Sequence, residues 1–347
     1  MPPWNGVYTA LVTPTDRRGG VDLAGFRELL SFQAKARVRG VVVAGTTGEA
    51  PTLSTAERER LFAVARDALP GSVDCVASTG SNDVVETRAL TRRALDLGIR
   101  SVMVVEPYYN APSSVEIRRE HLAPLAATFP EAEFLPYSVP ARTGTRLAPS
   151  DLAILHRDRP NVAGLKDATG DLGYARAVRR LLPRPFGLLC GNDDATLTML
   201  KDPEIVADGV VSVTANLAPQ AVRQLVEAAA EGDWATARER DAQLRPLSCS
   251  VTIEVEEPTP FGPTHVKSRN PVPIKSALSL VGLPGGACRP PLGRLTGAGL
   301  ERLAESLVRL RRDAPSILEP AAAHFGVDLD GRLADRSSRE GLAYDGY

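Results

Sequence analysis

The sequence predicts an α/β fold, a (β/α)8 TIM barrel followed by a C-terminal helical extension. Short apolar runs rich in β-branched residues recur along the first two-thirds of the chain, and segments with helical periodicity separate them. A spacing of roughly 20–35 residues is typical of parallel strands joined by crossover helices. The runs are centred near Val7, Val42, Val73, Val102, Phe134, Val162, Leu188 and Val210.

Capping residues mark where the intervening helices begin. Ser54 and Glu57 have the spacing of a capping box, and so do Ser113 and Glu116. Gly98 is the predicted stop of the third helix. The other predicted helix starts are Asp22, Asn82, Asp151, Asp171 and Pro219.

A doubly wound open sheet is the alternative fold for an alternating pattern. Such a sheet usually carries a glycine-rich nucleotide-binding turn after its first strand. Here the first apolar run continues into Thr13-Pro14-Thr15-Asp16, which contains no glycine. The barrel is therefore the favoured prediction.

The strand pattern stops near Gly232, which divides the chain into three predicted parts. Residues 1–232 form the barrel with the active site, 233–320 form the helical extension, and 321–347 form a polar tail for which no structure is predicted. Within the extension, 248–269 is expected to be an irregular loop or a short hairpin. The predicted helices of the extension cover 234–247, 273–283 and 296–312.

Composition and motifs exclude several functional classes. The net charge of −1 gives no reason to expect a nucleic acid or an anionic membrane as partner. No apolar run is long enough to span a bilayer, and residues 1–5 do not resemble a signal peptide. No HExxH, P-loop or GxSxG motif is present. The cysteines are widely spaced, which predicts reduced thiols in the cytoplasm and no zinc site: Cys75, Cys190, Cys249 and Cys288.

The apolar run at 162–165 is followed directly by a lysine, Lys166. A lysine at the carboxyl end of a barrel strand lies where barrel active sites lie. Burial disfavours the ammonium form, so that a neutral amine becomes available to attack a carbonyl carbon and form a Schiff base. The alternative is a surface lysine, or one paired with Asp167.

Polar residues also follow two other predicted strands. The turn at 45–49 contains Thr46 and Thr47 between glycines and can bind a carboxylate through amides and hydroxyls. Tyr137 can shuttle protons above a lysine amine, and Arg142 can clamp a carboxylate. Each also has a structural interpretation: an ordinary turn, a tyrosine that caps the barrel core and a solvated arginine. Together they favour a Schiff-base lyase that acts on a 2-oxo acid.

Seven motifs, in this order, resemble the dihydrodipicolinate synthase / N-acetylneuraminate lyase family of class I aldolases. They are GTTGEAPTLS, PYYNAP, YSVPARTG, GLKDATG, CGNDD, GVVSVTAN and NPVPIKSAL. The similarity runs from about Trp4 to Arg312 and is greatest to the family's lysine-pathway synthases. The resemblance implies condensation of pyruvate with L-aspartate 4-semialdehyde, with a covalent imine at the lysine and without a cofactor or metal ion.

The resemblance also assigns catalytic roles to residues that match the motifs. Lys166 would form the imine with pyruvate, and Tyr137 would move the protons. Thr46 would link Tyr137 to Tyr109, which in this family reaches in from the neighbouring subunit. The implied assembly is a homotetramer built as a dimer of dimers.

Substrate-binding roles follow in the same way. Thr47 and nearby amides would hold the pyruvate carboxylate, and the backbone of Gly191 and Val211 would line the pyruvate site. Arg142 would receive the carboxylate of the aldehyde.

The resemblance further implies a possible effector site for lysine, formed by Asn82, Glu86 and Tyr108. Thr55 and Arg58 stand where regulated bacterial members often have histidines. Weak or absent lysine inhibition is therefore expected.

The chain also departs from the family pattern. Ser138 replaces the usual asparagine, the 248–269 stretch is longer than usual, and the chain continues beyond Arg312. These departures leave two alternatives open: an aldolase or hydratase-aldolase for a 2-keto-3-deoxy sugar acid or another 2-oxo acid, and a barrel that no longer catalyses. Arg142 favours the synthase substrate, because a carboxylate on the acceptor needs a charged partner.

Overall fold

The computed structural model describes residues 3–346, and its central feature is a closed barrel of eight parallel strands. β1 pairs with both β2 and β8, so the sheet closes on itself. The predicted TIM barrel is confirmed. The strands are β1 Gly6–Ala10, β2 Gly40–Val43, β3 Asp74–Ser78, β4 Ser101–Val105, β5 Glu133–Ser138, β6 Gly164–Asp167, β7 Gly187–Cys190 and β8 Gly209–Ser212.

Helices surround the barrel and form the extension. They are α1 Leu23–Lys35, α2 Thr55–Ala68, α3 Val84–Asp96, α4 Ser114–Glu116, α5 Ala123–Thr128, α6 Pro140–Thr143, α7 Pro149–Asp158, α8 Leu172–Leu181, α9 Thr196–Lys201, α10 Pro219–Glu231, α11 Trp234–Ser248, α12 Val272–Leu280, α13 Gly297–Asp313, α14 Glu319–Phe325 and α15 Leu329–Ala334. Residues 117–122, between α4 and α5, are π-helical.

The barrel interior is a packed core and not a pore. Its amino-terminal end is filled by Trp4, whose ring lies 5.5 Å from that of Tyr8. Gly164 and Gly187 allow this, because a Cβ atom on either would come within 2.7 Å of Trp4. The remaining interior side chains are mainly apolar residues from successive strands.

Most predicted helix starts are confirmed, and one is wrong. Both capping boxes are present. The third helix is capped by Asp83, whose side chain accepts a hydrogen bond from the Val85 amide. Asn82 was expected in that role, but its side chain instead accepts from the Tyr108 amide. Asp151 lies in the first turn of α7, two residues after the helix begins.

The extension contains a hairpin, which was one of the two predictions for residues 248–269. It consists of β9 Thr252–Thr259 and β10 Gly262–Arg269, which pair antiparallel along eight residues each. Ile253 is buried in the core shared with α13. One face of β9 therefore packs against α13 as far as Glu257, which accepts a hydrogen bond from the Ala298 amide, whereas Phe261 at the tip is fully exposed.

The expectation of an unstructured tail is wrong for the part of the tail that the structure describes. It forms most of α14, then α15 and a 3₁₀ turn at Arg336–Arg339. Leu329 and Leu333 are buried, and Arg332 donates hydrogen bonds to the carbonyls of Ser279 and Leu280. Scattered apolar residues and a helix-capping arginine thus anchor a segment that is polar on average.

Residues 1, 2 and 347 lie outside the described range. The predictions for residues 1–5 and for the tail at 321–347 therefore fall partly outside the described residues. Within residues 3–346, no helix is both long and apolar enough to cross a membrane.

A buried ion pair fastens the extension to the barrel. Lys275 of α12 contacts Glu49 after β2 with Nζ and Oε1 2.5 Å apart, and both side chains are almost fully buried. Lys275 also donates to the Ala287 carbonyl, and the Arg289 amide donates to the other Glu49 oxygen. Both charges therefore have partners that offset part of the cost of their burial.

Lys275→Met is expected to lower the free energy of unfolding by about 3–5 kcal/mol, because it leaves the Glu49 carboxylate buried without its cation. The measurement is urea denaturation followed by circular dichroism. The control is Lys267→Met, which removes an exposed lysine 2.5 Å from Glu254 and is expected to cost at most about 1 kcal/mol. Equal losses for the two variants would contradict the prediction.

Candidate active site

Lys166 and Tyr137 lie side by side on neighbouring strands. They are register partners in β5 and β6, and the Nζ atom of Lys166 is 3.9 Å from the centre of the Tyr137 ring. Both side chains are buried. The predicted neighbourhood of the lysine and the tyrosine is thus present.

The strand position of Lys166 differs from the prediction. Lys166 lies inside β6 and not after it. Because successive strand residues face opposite sides, Leu165 packs against the helices while Lys166 faces the barrel interior. In the described chain no ion pair joins Lys166 to Asp167, whose Oδ1 accepts from the Thr169 amide.

The turn after β2 is held in a tight conformation. Glu49 has a φ of +59°, and the Gly48 carbonyl accepts a hydrogen bond from the Thr13 hydroxyl. Thr47 is buried, and its hydroxyl accepts from the side-chain amide of Asn270 at 2.9 Å. Thr46 is half-buried. The turn is therefore held by Thr13 at Gly48 and by Asn270 at Thr47.

A cavity of about 330 Å³ opens beside these residues. Five of the predicted site residues line it: Thr46, Glu86, Tyr108, Tyr137 and Arg142. Lys166 lies next to the cavity, through its contact with Tyr137. Of the predicted residues that the structure describes, those that do not line the cavity are Lys166, Thr47, Tyr109, Gly191, Val211 and Asn82.

Gly191 and Val211 lie at the carboxyl ends of β7 and β8. A Cβ atom on Gly191 would come 2.7 Å from the Cβ of Ala168, so this position requires glycine. Val211 is fully buried among the interior residues of the barrel, the group that also contains Tyr137. Both are on the Lys166 side of the mouth.

Arg142 is positioned by a residue that the sequence did not single out. It stands on α6 at the rim, and its Nη2 donates to the Asn270 carbonyl at 2.8 Å. Asn270 therefore joins Arg142 to Thr47 through its carbonyl and its amide. NPVPIKSAL contains this residue, but the motif alone does not show which strand ends it reaches.

Tyr109 is 89% exposed and has a φ of +76°. Within one chain it is not brought to Thr46 or Tyr137. The structure of the single chain thus leaves the predicted role across a subunit boundary untested.

The predicted effector residues do come together. Asn82 accepts from the Tyr108 amide at 2.6 Å, and Glu86 and Tyr108 line the same cavity as Tyr137. Arg58, almost fully buried, has its Nη1 3.7 Å from Glu86 and donates from Nη2 to the Ser78 carbonyl. Burial lowers the pKa of Arg58 and raises that of Tyr108.

A buried carboxyl group behind Tyr137 was also missed. Glu106 follows β4, is 1% exposed and accepts one hydrogen bond, from the Leu147 amide. Its second carboxylate oxygen and the Ser138 hydroxyl have no hydrogen-bond partner in the described chain. Burial raises the pKa of Glu106 to about 7. Tyr174 nearby donates to the Leu147 carbonyl, and burial, followed by Glu106, raises its pKa.

Residues 3–346 contain no group of three or more His, Cys, Asp or Glu side chains arranged to hold a metal ion.

The barrel, the buried lysine–tyrosine pair and the threonine turn can be compared with known proteins. The profile of the Dihydrodipicolinate synthetase family matches residues 3–309. The chain belongs to this family. The family resemblance read from the motifs is thereby confirmed, and so is its class of enzyme, a class I aldolase-type lyase.

Members of the family with close sequence or structure support the assignment. A 4-hydroxy-tetrahydrodipicolinate synthase from Methanospirillum hungatei is 36% identical over 309 residues, which cover 88% of this chain and 99% of the relative. The synthase structure from Methylacidiphilum fumariolicum has a TM-score of 0.82 at 33% identity and covers 91% and 99% of the two chains. A chloride-inhibited synthase from Acinetobacter baumannii, solved with pyruvate, has a TM-score of 0.79 at 31% identity and covers 88% and 98%.

Glu106→Gln is expected to change how stability depends on pH. A carboxyl group with a folded pKa of about 7 against 4.5 in the unfolded chain stabilises the fold below pH 4.5, and about 3 kcal/mol of this is lost as pH rises to 7. Glutamine does not titrate, so the variant should lack this decline.

Urea denaturation of both proteins at pH 5 and pH 8 tests this, with Glu305→Gln on the exposed surface of α13 as the control. The same pH dependence in wild type and Glu106→Gln would contradict the expected protonation of Glu106.

Proposed function

We propose that this enzyme condenses pyruvate with L-aspartate 4-semialdehyde to 4-hydroxy-tetrahydrodipicolinate. The observation that carries the proposal is the buried Lys166 amine, held 3.9 Å from the Tyr137 ring beside a cavity that Arg142 also lines. Family membership and relatives that bear the synthase name support it. The pyruvate complex of one structural relative supports the choice of the first substrate.

The proposed chemistry begins at Lys166. Its amine attacks the ketone carbon of pyruvate, and loss of water leaves an imine. Removal of a proton from the methyl carbon gives an enamine, which attacks the aldehyde carbon. The amino group of the semialdehyde then closes the ring and releases Lys166. Tyr137 carries protons between these steps, and Thr46 orients its hydroxyl.

The proposed binding roles divide the two carboxylates between two sides of the mouth. Thr47 and the amides of its turn hold the pyruvate carboxylate, and the backbone at Gly191 and Val211 lines the same pocket. Arg142 binds the carboxylate of the aldehyde. The Asn270 contacts to Thr47 and Arg142 support this division, since one residue sets the distance between the two binding groups.

An assembly of more than one chain is part of the proposal. Tyr109 is 89% exposed in the single chain, which suits a side chain that completes the site of a neighbouring subunit. We infer a homotetramer made of two such dimers. The four cysteines are free thiols, which favours a cytoplasmic location.

We also infer that lysine inhibits this enzyme weakly. Glu86 already has a cation near it, because buried Arg58 lies 3.7 Å away. The ammonium group of a bound lysine would compete with that guanidinium. Inhibition by micromolar lysine would contradict this inference.

An aldolase that acts on a 2-keto-3-deoxy sugar acid or another 2-oxo acid is the second candidate. The observation that keeps it open is Ser138, which stands in place of the family's usual asparagine next to Tyr137. It shares the imine step, so the acceptor distinguishes the two functions. Retention of a buried lysine beside Tyr137 argues against a barrel that only binds.

Borohydride reduction in the presence of pyruvate is expected to attach one reduced pyruvate to the peptide that contains Lys166, because reduction traps the imine. Mass spectrometry detects the adduct. Lys166→Ala should lose it, whereas the exposed Lys201→Ala should keep it. Addition of L-aspartate 4-semialdehyde, but not of a sugar-acid aldehyde, should reduce trapping. A folded wild-type protein without an adduct would rule out the pyruvate imine.

Mixing Lys166→Ala with Tyr109→Ala is expected to restore activity that neither variant has alone. Random exchange makes about half of the pairs mixed, and each mixed pair has one complete site, so about a quarter of wild-type activity should return. The control mixes Lys166→Ala with Tyr137→Phe, whose residues belong to the same chain's site and should not complement. Absence of recovery after proven subunit exchange would contradict the shared tyrosine.

A further inference from the structure

A second arginine lies beside the proposed acceptor-binding arginine, and it comes from the hairpin. Arg269 is the last residue of β10 and is exposed. Its Nη1 donates to the carbonyl of Ala141 at 3.1 Å, while Arg142 donates to the carbonyl of Asn270 at 2.8 Å. Each arginine thus donates to the carbonyl of a residue adjacent in sequence to the other arginine, and we call this reciprocal pair of hydrogen bonds the clasp.

The clasp brings two positive charges to one edge of the cavity. After desolvation and Tyr137, Arg269 is among the groups that shift the pKa of Arg142, and it does so downward as a like charge does. In the described chain neither guanidinium has a carboxylate within ion-pair distance, whereas many other arginines pair with an Asp or a Glu. Two adjacent cations without an anion form a site with unused hydrogen-bond donors.

The backbone contacts leave most of these donors available. A guanidinium has five N–H groups, and one from each arginine is used in the clasp. Arg142 lines the cavity, and Arg269 is held next to it by the hydrogen bond to the carbonyl of Ala141. A planar carboxylate matches the guanidinium fork and gains more from two cations than from one.

We propose that Arg269 is a specificity-determining residue that binds the carboxylate of the acceptor aldehyde together with Arg142. The proposal rests on the proposed function and deepens it: the preferred acceptors are aldehydes that carry a carboxylate. It also assigns a role to the hairpin, which places this cation at the mouth. Pyruvate binds on the other side of the mouth and does not contact Arg269.

Steady-state kinetics of Arg269→Gln and Arg269→Lys test the proposal. With pyruvate saturating, Arg269→Gln should raise the KM for L-aspartate 4-semialdehyde about tenfold, as expected for loss of one charge-assisted hydrogen bond. The KM for pyruvate and borohydride trapping at Lys166 should stay unchanged. Arg269→Lys keeps the charge and should recover most of the loss. Increased ionic strength should raise the acceptor KM of wild type more than that of Arg269→Gln.

The matched control is Lys267→Gln. Lys267 is a cation two residues earlier on the same strand, but Glu254 already pairs with it at 2.5 Å, so this variant should keep both KM values. An unchanged acceptor KM in Arg269→Gln would overturn the proposal. Equal losses in Arg269→Gln and Arg269→Lys, or a rise in the KM for both substrates, would show that Arg269 only holds α6 in place and would also overturn it. Failure of wild type to trap pyruvate would instead refute the proposed function.

Discussion

The buried ion pair between Glu49 and Lys275 holds the extension against the barrel mouth, and the site depends on it. The turn that carries Thr46 and Thr47 ends at Glu49, in a left-handed conformation that a non-glycine residue adopts only under constraint. The cation that fixes this carboxylate comes from α12, more than two hundred residues later. The extension is therefore a structural part of the mouth and not an appendage.

Asn270 and the hairpin continue the same contact toward the substrate. Asn270 precedes α12 by two residues and joins the threonine turn to Arg142. Arg269, one residue earlier, contacts the backbone of the loop that carries Arg142. A single stretch of the extension thus connects the proposed pyruvate side with the proposed acceptor side.

Burial on the opposite side of the strands creates a second electrostatic environment. Lys166 and Tyr137 face the barrel interior, whereas Asp167 and Glu106 lie behind them with raised pKa values. Because neighbouring strand residues face opposite sides, these carboxyl groups do not pair with the lysine. The lysine amine is thereby kept apart from the nearest acid in its own strand.

The sequence by itself determined that the chain forms a barrel and that Lys166, Tyr137 and the threonine turn lie at the carboxyl ends of its strands. Period and capping are local properties, and the mouth of a barrel collects whatever follows its strands. The two wrong predictions also have local causes. Asn82 was predicted to cap the third helix, but Asp83 beside it is an equally good cap. The tail was predicted to lack structure because its average polarity concealed the few leucines that anchor it. Only the tertiary structure decided which distant residues complete the mouth. Asn270, Lys275, Arg269 and Glu106 acquire their partners through contacts between segments far apart in the chain, and no spacing along the sequence encodes those distances.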